Sequence, residues 1–184
     1  MGEERRALVF EVGPFDRPAQ GGWGWVALVA SGSGLRMLNL PAPTREMALR
    51  RAHAHYPEAP LAPEDAFLNE VAAQVCNYLA GTQRKFNVEL DLRGYTAFEL
   101  SVWAAIARIP YGETRTYAWI AAQTGGPGAA QAVGAATGSN PIPLIIPCHR
   151  VIGSDGSLHG FAGGLDMKKR LLALESRQMT LALD

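Results

Sequence analysis

The chain has 184 residues, 48% of them apolar and 18% charged, with 17 basic against 17 acidic side chains. That composition suits one or two folded domains with a sizeable core, and it excludes an intrinsically disordered chain or one held to a polyanion mainly by a broad basic field. Two cysteines, Cys76 and Cys148, make no disulfide framework. With four histidines they also leave no group at structural-zinc spacing, so no metal is expected. The charged start and the short apolar run at 7–12 are too brief for a signal-peptide core. No stretch reaches the roughly 20 apolar residues that span a bilayer. A cytoplasmic location with reduced thiols and no membrane contact is therefore the expectation.

Strands are predicted at 7–12, 23–30 and 35–40, the last two joined by the Ser31-Gly32-Ser33-Gly34 turn of a hairpin. Thr44 then reads as the N-cap of a helix running to about 55, before Pro57. A second helix follows Pro63 and runs to 80, with Phe67, Val71, Val75 and Leu79 on one face and Gly81 as its stop. His53 and His55 fall on the first helix as surface side chains. Cys76, with no basic neighbour in sequence, reads as a small half-buried hydrophobe. A segment of mixed polarity, 83–94, closes this half. Residues 1–92 carry 9 basic and 11 acidic side chains and residues 93–184 carry 8 and 6, or −2 against +2, which favours the second half for an anionic partner.

The second half opens with an amphipathic helix at 96–107 bearing Phe98, Val102, Trp103 and Ile106, and Pro110-Tyr111-Gly112 forms a turn. A short helix at 116–123 ends at Gly125-Gly126, and an Ala-rich helix over 128–137 follows with Pro127 at its first position. Two short helices about a glycine turn fit a helix-turn-helix, and fit equally an αα-hairpin packed in a core. The densest chemistry lies in Asn140-Pro-Ile-Pro-Leu-Ile-Ile-Pro-Cys148-His149-Arg150-Val151. Pro147 stiffens the approach to Cys148, while His149 and Arg150 place positive charge beside it, which favours thiolate. The same residues also suit a buried strand-end cysteine whose neighbours face elsewhere.

This segment resembles the active-site signature of the O6-alkylguanine-DNA alkyltransferases. The resemblance runs in order through Phe98, Ser101-Val102-Trp103, Ile109-Pro110-Tyr111-Gly112-Glu113-Thr114, Tyr117, Ala132-Val133-Gly134, Asn140-Pro141, Pro147-Cys148-His149-Arg150-Val151, Gly163-Gly164-Leu165 and 168–175. It implies an α/β N-terminal domain over 1–92, ribonuclease-H-like, and a mostly α, winged-helix-like DNA-binding domain over 93–184. It implies Cys148 as a nucleophile consumed in one transfer from O6-alkylguanine in double-stranded DNA. His149 would be its base through a water, Glu175 would polarise the imidazole from the end of a 165–175 helix, and Asn140 would tie the helix-turn-helix to the cysteine loop. Tyr117, the carbonyls of Cys148 and Val151, the N–H of Ala162 and the ring of Phe161 would surround a flipped base. Gln131 and Ala130 would meet the duplex, with Arg115, Arg150 and the Lys168-Lys169-Arg170 cluster as its cations, a cluster that suits a solvated helix face equally well. A monomer without cofactor is implied.

Two residues depart from the family pattern. Gln131 stands where the family inserts an arginine into the duplex, and the 128–137 helix has no Lys or Arg, so weak DNA binding is expected. Glu99 replaces a common glutamine. A module that binds lesions with weak or no transfer is the alternative that Gln131 raises. A cysteine hydrolase would need oxyanion donors that nothing in the sequence supplies.

Overall fold

The computed structural model describes residues 4–13, 22–126 and 128–181. The chain divides into two compact units, Met1–Asp91 and Leu92–Asp184. In the first, β1 (Arg6–Val12), β2 (Gly24–Ser31) and β3 (Gly34–Leu38) form an antiparallel sheet in that order, with Arg6 opposite Ala30 and Val12 opposite Gly24. β2 is the central strand and is buried along almost its whole length, because both of its faces are covered. On one face Ala27 and Val29 meet Ala48 and Ala52 of α1 (Arg45–His55), where alanines let helix and sheet approach closely. The predicted caps are in place: Thr44 accepts from the Met47 N–H, and Gly81 ends α2 (Ala66–Ala80) in a left-handed conformation at φ 86°. Residues 89–91 run beside β3. The Leu35 N–H donates to the Glu89 carbonyl at 2.8 Å and the Asp91 N–H to the Leu35 carbonyl at 2.9 Å. Gly34 is required there, since a Cβ would lie 2.5 Å from the Glu89 carbonyl oxygen. The buried Asp91 carboxylate accepts from Ser31 at 2.6 Å and from Arg36 at 2.9 Å.

The second unit is mostly helical. α3 (Ala97–Ala107), α4 (Tyr117–Thr124) and α5 (Ala130–Gly138) pack on one another, and the Trp103 indole N–H donates to the Ala136 carbonyl at 2.7 Å. Glu99 has a local reason to be a glutamate. It completes a capping box with Thr96 at the head of α3 and accepts from Ser139 at 3.1 Å, tying α3 to the residue after α5. Arg115–Thr116 forms β4, which pairs in parallel with β5 (Val151–Ile152), an element the sequence reading did not contain. α6 (Leu165–Leu181) closes the unit.

Two helix limits differ from expectation. α5 begins at Ala130 because Gly128, at φ 109°, is left-handed and outside the helix; Pro127, expected at its first position, lies outside the described residues. α6 continues past Glu175, which therefore sits within the helix and not at its end. Among the described residues no helix is long and apolar enough to cross a membrane.

Candidate active site

The cysteine loop is shaped by Asn140. Its side-chain oxygen accepts from the Ile142 N–H at 3.0 Å and its amide donates to the Ile146 carbonyl at 2.8 Å, so one residue clasps both ends of the turn. Inside that clasp Leu144 takes φ 74°, a conformation that costs a leucine about 1–3 kcal/mol unless its surroundings impose it. Here they do: Leu144 is buried and the Ile146 N–H returns to the Ile142 carbonyl at 2.9 Å. Pro147 then leads into a 3₁₀ turn, Cys148–Arg150, in which all three residues are buried.

Successive residues of a 3₁₀ turn point about 120° apart, so three neighbours in sequence reach three surroundings. His149 Nε2 lies 2.8 Å from Glu175 Oε1 on α6. Arg150 also turns to Glu175, its Nε 3.0 Å from Oε2 and its Nη2 2.9 Å from Oε1, while its Nη1 donates to the Ile109 carbonyl at 2.7 Å. The Gly112 N–H donates to Glu175 Oε2 at 2.9 Å, which gives the Pro110-Tyr111-Gly112 turn a structural task. Burial pushes the Glu175 carboxyl up, but hydrogen bonds from His149 and Arg150 outweigh it and hold the pKa at about 2. For His149 burial dominates over the attraction of Glu175 and moves the imidazole below its ordinary value. Cys148 is moved up by burial, against the opposing pull of Asn140 and Lys168. Both shifts favour the neutral forms, thiol and imidazole, and a neutral imidazole is the form that can accept a thiol proton.

Lys168 sits on the same face of α6 as Glu175, two turns earlier. It is fully buried, with Nζ donating to the Val151 carbonyl at 2.6 Å and to the His159 carbonyl at 3.2 Å. Its ammonium lies 6.0 Å from the centroid of the Tyr117 ring. Tyr117, half-buried at the start of α4, has its hydroxyl pKa raised by burial and by Cys148, so it stays a proton donor. Phe161 is half-buried and Ala162 exposed, in the loop before α6. On α5, Ala130 and Gln131 are exposed and no side chain caps the helix start. Arg115 pairs with Glu113 at 2.8 Å and lies over Trp119 at 5.7 Å.

A family model described as the DNA-binding domain of 6-O-methylguanine DNA methyltransferase matches residues 97–177. The methylated-DNA–protein-cysteine methyltransferase of Mycobacterium leprae is 51% identical over 121 residues, 66% of this chain and 73% of that protein. The inducible enzyme of that name from Bacillus subtilis is 44% identical over 126 residues, 68% of this chain and 70% of that protein. Among solved structures, the O6-methylguanine methyltransferase of Mycobacterium tuberculosis aligns over 96% of this chain and 98% of its own at 40% identity, with TM-score 0.75. A second structure of the tuberculosis protein, in complex with DNA, reaches TM-score 0.77 at 39% identity and covers 94% of each chain. This chain belongs to the methylated-DNA–protein-cysteine methyltransferase family.

Three expectations need correction in this methyltransferase. Arg150 is no DNA contact, because its guanidinium is buried on Glu175 and Ile109 and so is withdrawn from any phosphate. The two cations next to Cys148 in sequence do not make it a thiolate at rest: the Arg150 charge is spent on Glu175, and burial keeps both His149 and Cys148 neutral. Lys168 is neither a phosphate contact nor a solvated helix residue, whereas Lys169 beside it is exposed. The signal that could have separated them is the spacing of seven from Lys168 to Glu175 with Leu171 between, which puts a lysine on the apolar stripe of α6. Cys76 is half-buried, as expected of a small hydrophobe, and burial raises its pKa.

Proposed function

We propose that Cys148 is the residue that takes the alkyl group, with His149 as base, Glu175 as its support and Asn140 as the clasp of the loop. The protein repairs DNA by moving an alkyl group from O6-alkylguanine to a cysteine of its own, irreversibly and once. The observation that carries the residue assignment is that the buried Cys148 directly precedes, in one 3₁₀ turn, a neutral His149 whose Nε2 is committed to an ionised, buried Glu175. That leaves Nδ1 as the nitrogen that exchanges a proton with the thiol through a water. The sulfur then attacks the alkyl carbon, an S–C bond forms, the C–O6 bond breaks, and the electron pair leaves on the guanine. The thioether has no leaving group that water displaces, so the protein is spent. No cofactor enters this balance.

A guanine inside a duplex is out of reach and has to be flipped. Tyr117 donates to its ring, the Cys148 and Val151 carbonyls accept from its amino group, Ala162 N–H meets O6 and Phe161 lies along it. Val151 can serve both Lys168 and the base, since a carbonyl oxygen has two lone pairs. The finer fold reading belongs to the same proposal: a ribonuclease-H-like first unit, supported by its antiparallel sheet and two helices, and a winged-helix-like second one, supported by α4, α5 and the β4–β5 pair. We place its action in the cytoplasm as a monomer, where Cys148 stays reduced. Binding of lesions without transfer is not favoured, because the nucleophile and its base are both retained.

The direct test is incubation with duplex containing O6-methylguanine, followed by intact mass and peptide mapping. A gain of one CH2 on Cys148 is expected; a folded, reduced protein that gains nothing refutes the proposal. DNA affinity is a second test. With Arg150 and Lys168 withdrawn and α5 neutral, Arg115, Lys169 and the half-buried Arg170 are left as phosphate contacts. Gln131→Arg is expected to tighten binding several-fold and to steepen the salt dependence by about one counterion. An unchanged affinity and slope in that variant would show that Gln131 does not face the duplex.

A further inference from the structure

One side-chain cluster has no part in the transfer described above. In the loop between β5 and α6, Ser157 Oγ donates to Asp155 Oδ1 at 2.5 Å and lies 2.8 Å from His159 Nε2. The Ser157 backbone N–H also donates to Asp155 Oδ1, at 3.0 Å. These bonds from the Ser157 side chain and backbone hold the Asp155 carboxyl below its ordinary pKa, so it is an acceptor only. The hydroxyl proton therefore points at Asp155, and Nε2 of His159 must carry the proton in its bond to Oγ. With serine in the middle and a protonated nitrogen facing it, the trio is not a nucleophile with its base. It is a brace.

The brace closes over Gly153. A Cβ there would lie 2.6 Å from Asp155 Oδ1, 2.6 Å from His159 Nε2 and 2.7 Å from Ser157 Oγ, so three polar tips converge on the one spot that a glycine leaves open. At its far end the His159 ring stands edge-on to Tyr117, with centroids 6.2 Å apart. Lys168 holds the backbone of the same residue through the His159 carbonyl at 3.2 Å.

We propose that His159 is a positioning residue: Asp155 and Ser157, seated on Gly153, fix its imidazole against Tyr117 and so aim the Tyr117 hydroxyl at the base. This rests on the transfer reading above and assigns that site a further part. Gly153→Ala is the cleanest test, because the backbone at Gly153 is not left-handed and the three atoms nearest the added methyl are side-chain tips that can swing away. His159→Ala is the second variant. In single-turnover transfer at saturating duplex, each is expected to slow the chemical step about fivefold. Affinity for the same duplex with unmodified guanine should stay within about twofold, and in a Tyr117→Phe background neither variant should slow transfer further.

Wild-type rates in both variants would overturn the proposal. So would weakened DNA binding with an unchanged chemical step, which would make His159 a DNA contact. A full slowing that persists in Tyr117→Phe would mean general loosening of the loop and would overturn it as well. A wild-type protein that transfers nothing would instead fail the underlying reading, and is told apart by the mass of Cys148 alone.

Discussion

Glu175→Gln is expected to lower stability by about 3–5 kcal/mol and the transfer rate by about a hundredfold or more. The carboxylate is fully buried and receives His149, three Arg150 contacts and the Gly112 N–H. A glutamine keeps one acceptor oxygen and turns an NH2 toward donors, leaving the Arg150 charge buried without a counter-charge. Removing one partner of a buried pair costs far more than the pair contributes when intact. The catalytic loss follows because the imidazole then has no anion to stabilise its protonated form. Denaturant unfolding and single-turnover rates measure the two effects, and an unfolding free energy within about 0.5 kcal/mol of wild type would contradict the first.

Acid sensitivity comes from the same residues. His149 is held below its ordinary 6.5 and Glu175 at about 2 against an ordinary 4.5, so at both sites the unfolded chain takes up protons before the folded one. Stability therefore rises with pH in those windows. It is complete above about pH 6.5, falls first as unfolded His149 protonates, and falls again between 4.5 and about 2 as Glu175 is forced to bind a proton. In Glu175→Gln the second of these losses is expected to disappear from the pH profile.

What the sequence made legible was local. Thr44 and Gly81 mark helix ends through caps formed within a few residues, and of the predicted α2 stripe Val71, Val75 and Leu79 are buried while Phe67, in the first turn, is half-buried. The chemistry of Asn140 to Val151 was legible for the same reason, since loop, proline and nucleophile are contiguous. Arg150 was not. Its adjacency to Cys148 suggested a shared environment, yet the 3₁₀ turn sends it to a carboxylate 25 residues away. The start of α5 was misplaced because Gly128 can be read as helix or as turn, and only its positive φ decides. The β4–β5 pair joins two-residue segments far apart in the chain, too short for any alternation to show.

At saturating duplex, where a lost phosphate contact no longer limits the rate, Lys168→Met is expected to slow transfer by about tenfold to a hundredfold while Lys169→Met lowers affinity and leaves the chemical step near wild type. The methionine keeps most of the buried stem and removes the charge and both hydrogen bonds. Two effects follow from that one change. The Val151 and His159 carbonyls lose a common donor, which loosens the two segments that flank the base site. Cys148 loses the cation that opposes the effect of its burial, so its thiolate becomes harder to form. The second effect is read independently of DNA. The pH profile of Cys148 alkylation by a small haloacetamide, with Cys76 replaced by alanine, should move to higher pH in Lys168→Met. A profile that stays in place while transfer slows would assign the lysine to holding the Val151 and His159 backbone alone. Slowing in Lys169→Met of the same size would put the requirement on the charge of the helix and not on the buried ammonium.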